Sequence, residues 1–188
     1  ISLSKGDSVQ ALTYSERWVS VEKTPSSLHC RALVLFGQQK FLEAAQTLEE
    51  LNESIKSASP RLRLGVYRQT ARSWQRAGDN PRAISCLTDA LALIVPERDD
   101  AVMKREQVEI LMERAILYSK SGKPMDGIQD LDQAMTLGIL TDRVLLTRAR
   151  IEAANGQKDL AVKDIEAVLR ANPTHLEAQE LMKAVVGK

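Results

Sequence analysis

Aromatic residues are scarce in this sequence, since Phe, Trp and Tyr together make up 4% of its 188 residues. Cysteine and histidine are scarcer still. Cys30 and Cys86 lie far apart and form no CxxC pair, which argues against a cysteine-rich metal site. We interpret both as small buried hydrophobic residues, with a disulfide as the alternative. His29 and His175 lie toward opposite ends of the sequence, so no histidine pair has metal-ligand spacing.

Long hydrophobic runs and an excess of one charge are also missing. The longest apolar runs, such as residues 90–95, are far shorter than the ~20 residues that span a bilayer. The 26 basic and 25 acidic residues give a formal net charge of +1, so the overall charge does not direct the chain to nucleic acid or to an anionic membrane. We therefore expect neither a nucleic-acid partner nor direct membrane insertion.

Catalytic sequence signatures do not occur. There is no GxGxxG, no GxxxxGK followed by Ser or Thr, no GxSxG and no HExxH. The adjacent carboxylates Glu49-Glu50 and Asp99-Asp100 do not face each other on a helix, as is typical of solvated charge. The sequence therefore predicts no enzyme, no metal and no cofactor.

Helix-forming residues are abundant instead. Ala, Leu, Glu, Gln, Arg and Lys dominate, and a hydrophobic content of 44% is enough to bury a continuous core. We therefore predict a folded, all-helical protein. The sequence begins at Ile1 rather than at a methionine, which predicts a soluble fragment or processed product and leaves the compartment open between cytoplasm and bacterial periplasm.

A repeated glycine turn organises the chain. In four copies a glycine is followed five residues later by alanine or glycine, at residues 6–11, 78–83, 122–127 and 156–161. A fifth copy, at residues 37–44, has its glycine two residues early. The small residues that end the five copies lie 33, 39, 44 and 34 residues apart along the chain, so two intervals match a period of about 34 and two contain insertions. Each glycine is expected to end one helix, and each small residue to let the next helix pack closely.

Apolar residues recur at helical spacing on both sides of each turn. The best-formed copy has, in order, Tyr67, Ala71, Trp74, Gly78, Ala83, Leu87 and Ala90. This order resembles the tetratricopeptide repeat (TPR) family, and the resemblance covers essentially the whole chain. The sequence departs from the family pattern where Leu35 and Glu152 occupy the aromatic position of the first and last complete repeats.

The resemblance implies an all-α, TPR-like superhelix of antiparallel helical hairpins, an α-solenoid with a C-terminal capping helix. Residues 1–23 are predicted to form the second helix of a truncated repeat, with Ala11 and Trp18 on its buried stripe. The predicted divisions that follow are four TPR-like repeats, at 24–58, 61–96, 97–138 and 139–173, and a capping helix at 174–188.

Two helix starts are predicted within these divisions. The first helix of the third repeat is expected to begin near Asp99 and to run for about 22 residues. The capping helix is expected to begin with Thr174 as its N-cap and Glu177 three residues later. Its apolar residues are predicted to be Leu176, Leu181 and Val185.

In this family the first helix of each hairpin lines the concave face, so the resemblance places candidate partner-binding residues on those helices. The candidates are Leu33, Phe36, Arg68, Arg72, Arg76, Met112, Ile116, Arg143, Leu146 and Arg150. The arginines at 68, 72 and 76 share a helix face, and guanidinium groups hold carboxylates through two parallel hydrogen bonds. An acidic or C-terminal peptide is one predicted ligand. A solvated basic surface is the main alternative, and nucleic acid is a third.

The apolar candidates favour an amphipathic helix or an extended segment in the groove, with extra core beneath the curved face as the alternative. Some family members bind chaperone C-termini through lysines and asparagines, and here the asparagine positions hold Leu33, Arg72, Ile116 and Arg150. The predicted function is a non-catalytic protein–protein interaction scaffold. The alternative is a self-assembly or structural module, which leaves a homo-oligomer open. An enzyme or small-ligand sensor would need a deep polar pocket that no sequence feature indicates.

Overall fold

Helices account for all the regular secondary structure in the described parts of the chain. The computed structural model describes residues 5–94, 100–139 and 141–187. Its helices are α1 (Lys5–Val21), α2 (Pro25–Gly37), α3 (Phe41–Ser54), α4 (Pro60–Arg76), α5 (Asn80–Ala92), α6 (Ala101–Lys120), α7 (Pro124–Thr136), α8 (Asp142–Ala154), α9 (Lys158–Ala171) and α10 (Leu176–Val186). The prediction of an all-α chain of helical hairpins is confirmed.

Proline and short polar side chains determine where several helices begin. Four helices carry proline in their first turn, where the missing N–H has no intrahelical partner to lose. Thr24 forms a capping box with Ser27 at the start of α2. The Asp79 side chain accepts a hydrogen bond from the Arg82 backbone N–H at the start of α5. The starts of these helices are therefore determined by local residues that can be recognised in the sequence.

Left-handed residues close the first helix of each complete hairpin. Gly78, Gly122 and Gly156 have φ values of 88°, 74° and 81°. After each of them, the next backbone N–H donates to the carbonyl five residues earlier, as Asp79 does to Trp74 at 2.9 Å. The predicted role of these glycines is confirmed.

The first hairpin reaches the same turn without glycine at the critical position. Gln39 has a φ of 62°, and the next N–H, that of Lys40, donates to Leu35 O at 2.9 Å. Gly37 is only the last residue of α2. The early glycine of this copy therefore does not shift the turn, because a glutamine takes the left-handed conformation instead.

The chain divides into two compact units, residues 1–94 and 95–188. Within unit 1, which contains α1 to α5, each of the first four helices packs against the next one. Its core includes Leu28, Leu48, Leu51 and Val66, and the Trp74 side chain, 1% exposed, is its largest fully buried one.

Unit 2 contains α6 to α10. Helix α6 packs against α7, α8 packs against α9, and α10 packs on α9 and α8. The buried residues of α10 are Ala178 and Val185, which join a cluster with Leu145, Ile165 and Val168. The terminal helix therefore covers the apolar side of the last hairpin, as the predicted fold class requires.

Three predicted details at the helix ends need correction. Trp18 is 44% exposed, because α1 turns Ser15 rather than Trp18 into the core. The N-cap of α10 is His175, whose Nδ1 accepts from the Ala178 N–H at 3.3 Å, while Thr174 bonds to the Asn172 side chain instead. Leu176 therefore falls outside the buried stripe and is 74% exposed.

The start predicted near Asp99 lies outside the described residues. Asp100 caps α6 by accepting from the N–H groups of Val102 and Met103. The repeat boundaries themselves remain a prediction.

Candidate functional site

A pocket opens between α2 and α4 in unit 1. Its volume is about 220 Å³, and it is lined by Ala32, Leu33, Phe36, Leu48, Gln69, Arg72 and Ser73. Leu48 is buried and comes from α3, whereas Leu33 is 56% exposed. An accessible apolar side chain therefore lies beside an exposed arginine, Arg72.

A second pocket of about 240 Å³ continues from the first, and both share Gln69. Its lining includes His29, Leu62, Gly65 and Val66. The Gln69 Oε1 accepts a hydrogen bond from His29 Nε2 at 3.0 Å, which links α2 to α4 across the floor. A side chain at Gly65 would meet no atom within 4 Å, so the space above this residue is open. We call the two pockets together the α2–α4 groove.

Arginines dominate the charge of this groove. Helix α4 contains five arginines and no acidic residue. Arg72 and Arg76 are exposed and Arg68 is half-buried. The Arg76 guanidinium lies 6.0 Å from the Phe41 ring centroid, and Phe41 in turn packs edge-on against Phe36 at 5.1 Å. The groove is therefore apolar at its floor and basic along its α4 edge.

Two of the predicted apolar contact residues in unit 2 belong to the core. Met112 is 4% exposed and Leu146 is 1% exposed. Both therefore follow the alternative interpretation, in which the apolar candidates are extra core beneath the curved face. Ile116, at 37% exposed, and Arg150 line a pocket of about 270 Å³ between α6 and α8.

Acidic residues of unit 2 pair with its predicted arginines. Arg143 Nη1 lies 2.7 Å from Glu109 Oε1, and Arg150 pairs with Glu177. The Arg150 hydrogen bond lowers the pKa of the Glu177 carboxyl below its usual value. The structure thus brings Leu33, Phe36 and Arg72 together in one pocket of unit 1, and it pairs Arg143 and Arg150 of unit 2 with carboxylates.

Sequence reasoning missed two internal ion pairs. Arg114 bonds to Asp130 at 2.8 and 2.6 Å, and Arg148 bonds to Asp164 at 2.7 Å through both carboxylate oxygens. Hydrogen bonds to Asp164 raise the pKa of Arg148. Each pair joins residues 16 apart, and the two pairs are separated by 34 residues. That repeated spacing was a usable signal in the sequence.

Both cysteines are free, so the disulfide alternative is wrong. Cys86 is buried on α5, and burial, together with the nearby carboxylates of Glu49 and Asp89, raises the pKa of its thiol to about 12. The thiolate is therefore negligible at neutral pH, as the interpretation of Cys86 as a small buried hydrophobic residue implies.

Among the residues that the structure describes, no group of three or more His, Cys, Asp or Glu side chains is arranged to hold a metal ion. Within those same residues, no helix combines the length and hydrophobicity needed to cross a bilayer.

No protein-family model matches this sequence, and no curated protein sequence matches it. Solved structures do match. A tetratricopeptide repeat protein from Parabacteroides merdae gives a TM-score of 0.71 at 18% identity over 96% of this chain, which spans 66% of that protein. MamA gives a TM-score of 0.67 at 13% identity, with all of both chains covered.

A third neighbour is the second TPR domain of human RPAP3, solved in complex with the HSP70 peptide SGPTIEEVD. It gives a TM-score of 0.56 at 22% identity, over 69% of this chain and 99% of that one. These identities are low, so the likeness concerns the fold. Together with the helical hairpins and their left-handed turns, it confirms the predicted resemblance, and the chain has the fold of the tetratricopeptide repeat proteins.

Proposed function

We propose that this protein is a non-catalytic interaction scaffold that holds an acidic, partly apolar segment of a partner protein in the α2–α4 groove. The observation that supports this proposal is the juxtaposition of exposed Leu33 and exposed Arg72 on opposite walls of one pocket. The groove is open and elongated, as suits a peptide rather than a small enclosed substrate.

The two walls of the groove offer complementary contributions to binding. Covering an exposed leucine and the partner's apolar side chain removes hydrocarbon from water, at roughly 25 cal/mol per Å² of apolar surface. The arginine edge of α4 attracts carboxylates, which a guanidinium can bind with two parallel hydrogen bonds. Apolar burial supplies affinity, and the arginines favour acidic segments over basic ones.

A neighbour with the same fold supports the choice of ligand class. The RPAP3 domain was solved with a peptide whose last four residues are Glu, Glu, Val and Asp. That peptide combines carboxylates with an apolar residue. We extend only this combination of carboxylates and an apolar residue to the present chain, and not the binding of a chaperone C-terminus. The reason is that Leu33 and Arg72 occupy positions at which chaperone-binding repeats carry asparagine.

A peptide array tests the proposal. Immobilised nonapeptides with one central Leu or Phe and zero to four flanking Glu residues are probed with the labelled full chain. Binding is expected to rise with the number of Glu residues and to fall when Gln replaces them. The double variant Leu33→Ser, Arg72→Gln should bind the best peptide at least tenfold more weakly, a loss of about 1.4 kcal/mol or more.

The matched control is Leu42→Ser, Arg17→Gln. Leu42 is 53% exposed, close to the 56% of Leu33, and lies on α3 outside the groove, while Arg17 is exposed on α1. This control should bind like the wild type. Equal binding by the groove variant and the control would refute the α2–α4 groove as the site.

Self-association is the second candidate function, and one observation favours it. Tyr14, Trp18 and Val21 lie three or four residues apart on α1 and are 69%, 44% and 79% exposed, so they form an apolar stripe on one helix face. Sedimentation velocity at several protein concentrations would detect association. Self-association through this stripe predicts a concentration-dependent mass that disappears in Tyr14→Ser, Trp18→Ser; a constant monomer mass would exclude it.

A further inference from the structure

A second, polar cleft opens on the other side of unit 1, between α3 and α5. Its volume is about 450 Å³, and it is lined by Glu49, Asn52, Glu53, Tyr67, Arg82, Ser85, Cys86 and Asp89. Tyr67, from α4, lies between the two walls. The α2–α4 groove opens between the first helices of the hairpins and this cleft opens between the second helices, so the two face different sides of unit 1.

The charge of the α3–α5 cleft is opposite to that of the groove. Three carboxylates, those of Glu49, Glu53 and Asp89, face one guanidinium, that of Arg82. Arg82 already has two partners. Its Nε lies 3.3 Å from Asp79 Oδ2, and its guanidinium lies 4.4 Å from the Trp74 ring centroid. Lys56 Nζ lies 2.5 Å from Glu53 Oε2, so the Glu53 carboxylate is paired as well. The carboxylates of Glu49 and Asp89 leave the cleft with an excess of negative charge, and burial together with these two charges raises the pKa of Cys86.

One wall of the cleft contains a buried acceptor to which no described residue donates. Asn52 lines the cleft and is only 7% exposed. Its Nδ2 donates to Thr70 Oγ1 at 3.0 Å, whereas its Oδ1 is buried and accepts no hydrogen bond from the residues that the structure describes. A buried carbonyl without a donor costs about 1–3 kcal/mol, so an N–H group entering the cleft would satisfy it.

One cation, the Arg82 guanidinium, is already bound beside this cleft. The Trp74 indole N–H donates to Glu49 Oε1 at 2.9 Å while Arg82 stacks on the same ring. The Trp74 ring and the Asp79 carboxylate thus already hold one guanidinium beside the opening. A second cationic group would find the Asp89 carboxylate, the Asn52 acceptor and the Glu53 carboxylate, which it would share with Lys56.

From these observations we infer that the α3–α5 cleft is a second binding site, which accepts a lysine or arginine side chain from a basic segment of a partner protein. The inference is independent of the proposed function, because it concerns other residues, another side of unit 1 and a ligand of opposite charge. The scaffold would then hold an acidic segment on one side and a basic segment on the other.

The indole of Trp74 provides a local reporter for the test. The ¹⁵N-labelled full chain is titrated with blocked tripeptides, acetyl-Gly-Lys-Gly-amide and acetyl-Gly-Arg-Gly-amide, and with acetyl-Gly-Gln-Gly-amide as the neutral probe, at constant ionic strength. The Trp74 indole resonance is expected to shift saturably with at least one basic probe and not with the glutamine probe. The indole of Trp18, on α1, should not move and serves as an internal reference.

Two double variants separate a site from general charge attraction. Glu53→Gln, Asp89→Asn removes two exposed carboxylates of the cleft without touching the Glu49–Trp74 hydrogen bond, and should weaken binding at least fivefold. Glu16→Gln, Glu22→Gln makes the same charge change on exposed residues in and just after α1, and should leave binding unchanged. Equal weakening by both variants, a shift with the neutral probe, or the same shift with sodium chloride alone would overturn the inference.

A third variant tests the acceptor. Asn52→Leu removes the carbonyl and the amide together, and it should lower the affinity for the basic probes at least threefold. The spectrum of the free variant should keep the chemical-shift dispersion of a folded protein, with Trp74 at its folded position. Unchanged affinity in a folded Asn52→Leu protein would remove this residue from the site. If the substitution unfolds the chain, the two double variants still decide between the outcomes.

Discussion

Gly127 lies where the backbones of α6 and α7 leave no room for a side chain. A Cβ at this position would lie 2.7 Å from Ala115 O. The equivalent positions in the other complete hairpins hold Ala44, Ala83 and Ala161. We predict that Gly127→Ala destabilises the protein by about 1–2 kcal/mol, because overpacking outweighs the gain of about 1 kcal/mol in helix propensity. Urea unfolding followed by circular dichroism measures the change.

Gly65→Ala is the matched control. Gly65 is also helical, but a Cβ there meets nothing within 4 Å. This substitution should therefore stabilise the protein by about 0.5–1 kcal/mol. If the two substitutions changed stability in the same direction, the close approach at Gly127 would not be the cause.

Glu152 is an ionisable residue in the core position that the second and third repeats give to the aromatic residues Trp74 and Tyr118. It is 4% exposed, and its Oε2 is buried without a hydrogen bond from any described residue. Its Oε1 lies 3.8 Å from Arg148 Nε. Burial, then the charge of Asp164, raise the pKa of this carboxyl. The folded state therefore holds the proton more tightly than the unfolded state, so ionised Glu152 lowers stability above its folded-state pKa.

We predict that Glu152→Gln raises the melting temperature at pH 7. The difference from the wild type should shrink as the pH falls through the folded-state pKa toward the usual value of 4.5, since the wild-type carboxyl is then neutral too. Thermal unfolding across this range measures the effect, with Glu166→Gln on the exposed side of α9 as control. A gain that does not depend on pH would argue against titration of Glu152.

The sequence predicted most turn residues, and the exception is instructive. Glycine at 78, 122 and 156 is recognisable because no other residue takes positive φ so easily. Gln39 carries no such signal. Its conformation follows from the Lys40–Leu35 hydrogen bond and the packing of α2 on α3, which are properties of the folded hairpin.

At the scale of the helix pair, partly buried ion pairs hold the hairpins of unit 2 together. The Arg148 guanidinium joins α8 to α9 through Asp164 and to α7 through Asp132, and its side chain is 17% exposed. Arg148→Ala would leave these carboxylates without their cation. We predict a loss of about 3 kcal/mol in the free energy of unfolding, measurable by urea denaturation.

Arg143→Ala supplies the comparison, since it removes another α8 arginine that pairs with an acid on a neighbouring helix. Its side chain is 67% exposed. The loss should be below about 1 kcal/mol, as for exposed pairs in general. Equal losses for the two arginines would mean that burial does not set the strength of these pairs.

Helix faces explain why the candidate site was only partly predictable. Leu33 and Leu146 are both predicted to line the concave face, yet Leu33 is 56% exposed and Leu146 is 1% exposed. Which of them lies in a groove depends on the side chains of the neighbouring helices. Similarly, Arg150 has its partner Glu177 beyond the end of the next helix, on α10. Helical periodicity places a residue on a face but does not say what covers it.

At the scale of the whole molecule, the two units are predicted to fold separately. Residues 1–94 and 95–188 each form a compact unit with its own core, and helical repeats draw their stability from their immediate neighbours. The two fragments, expressed apart, should each give a helical circular dichroism spectrum and a cooperative thermal transition. The sum of their spectra should reproduce that of the full chain; a fragment without helical signal would contradict the prediction.

The opposite charges on two sides of unit 1 also have a chromatographic consequence. A formal net charge of +1 suggests a protein that ion exchangers hardly retain. The arginine edge of α4 and the carboxylates of the α3–α5 cleft each present a local field to a charged resin. At about 10 mM salt, where screening extends over roughly 30 Å, the protein should bind both a cation exchanger and an anion exchanger at neutral pH. Glu53→Gln, Asp89→Asn should elute earlier from the anion exchanger only.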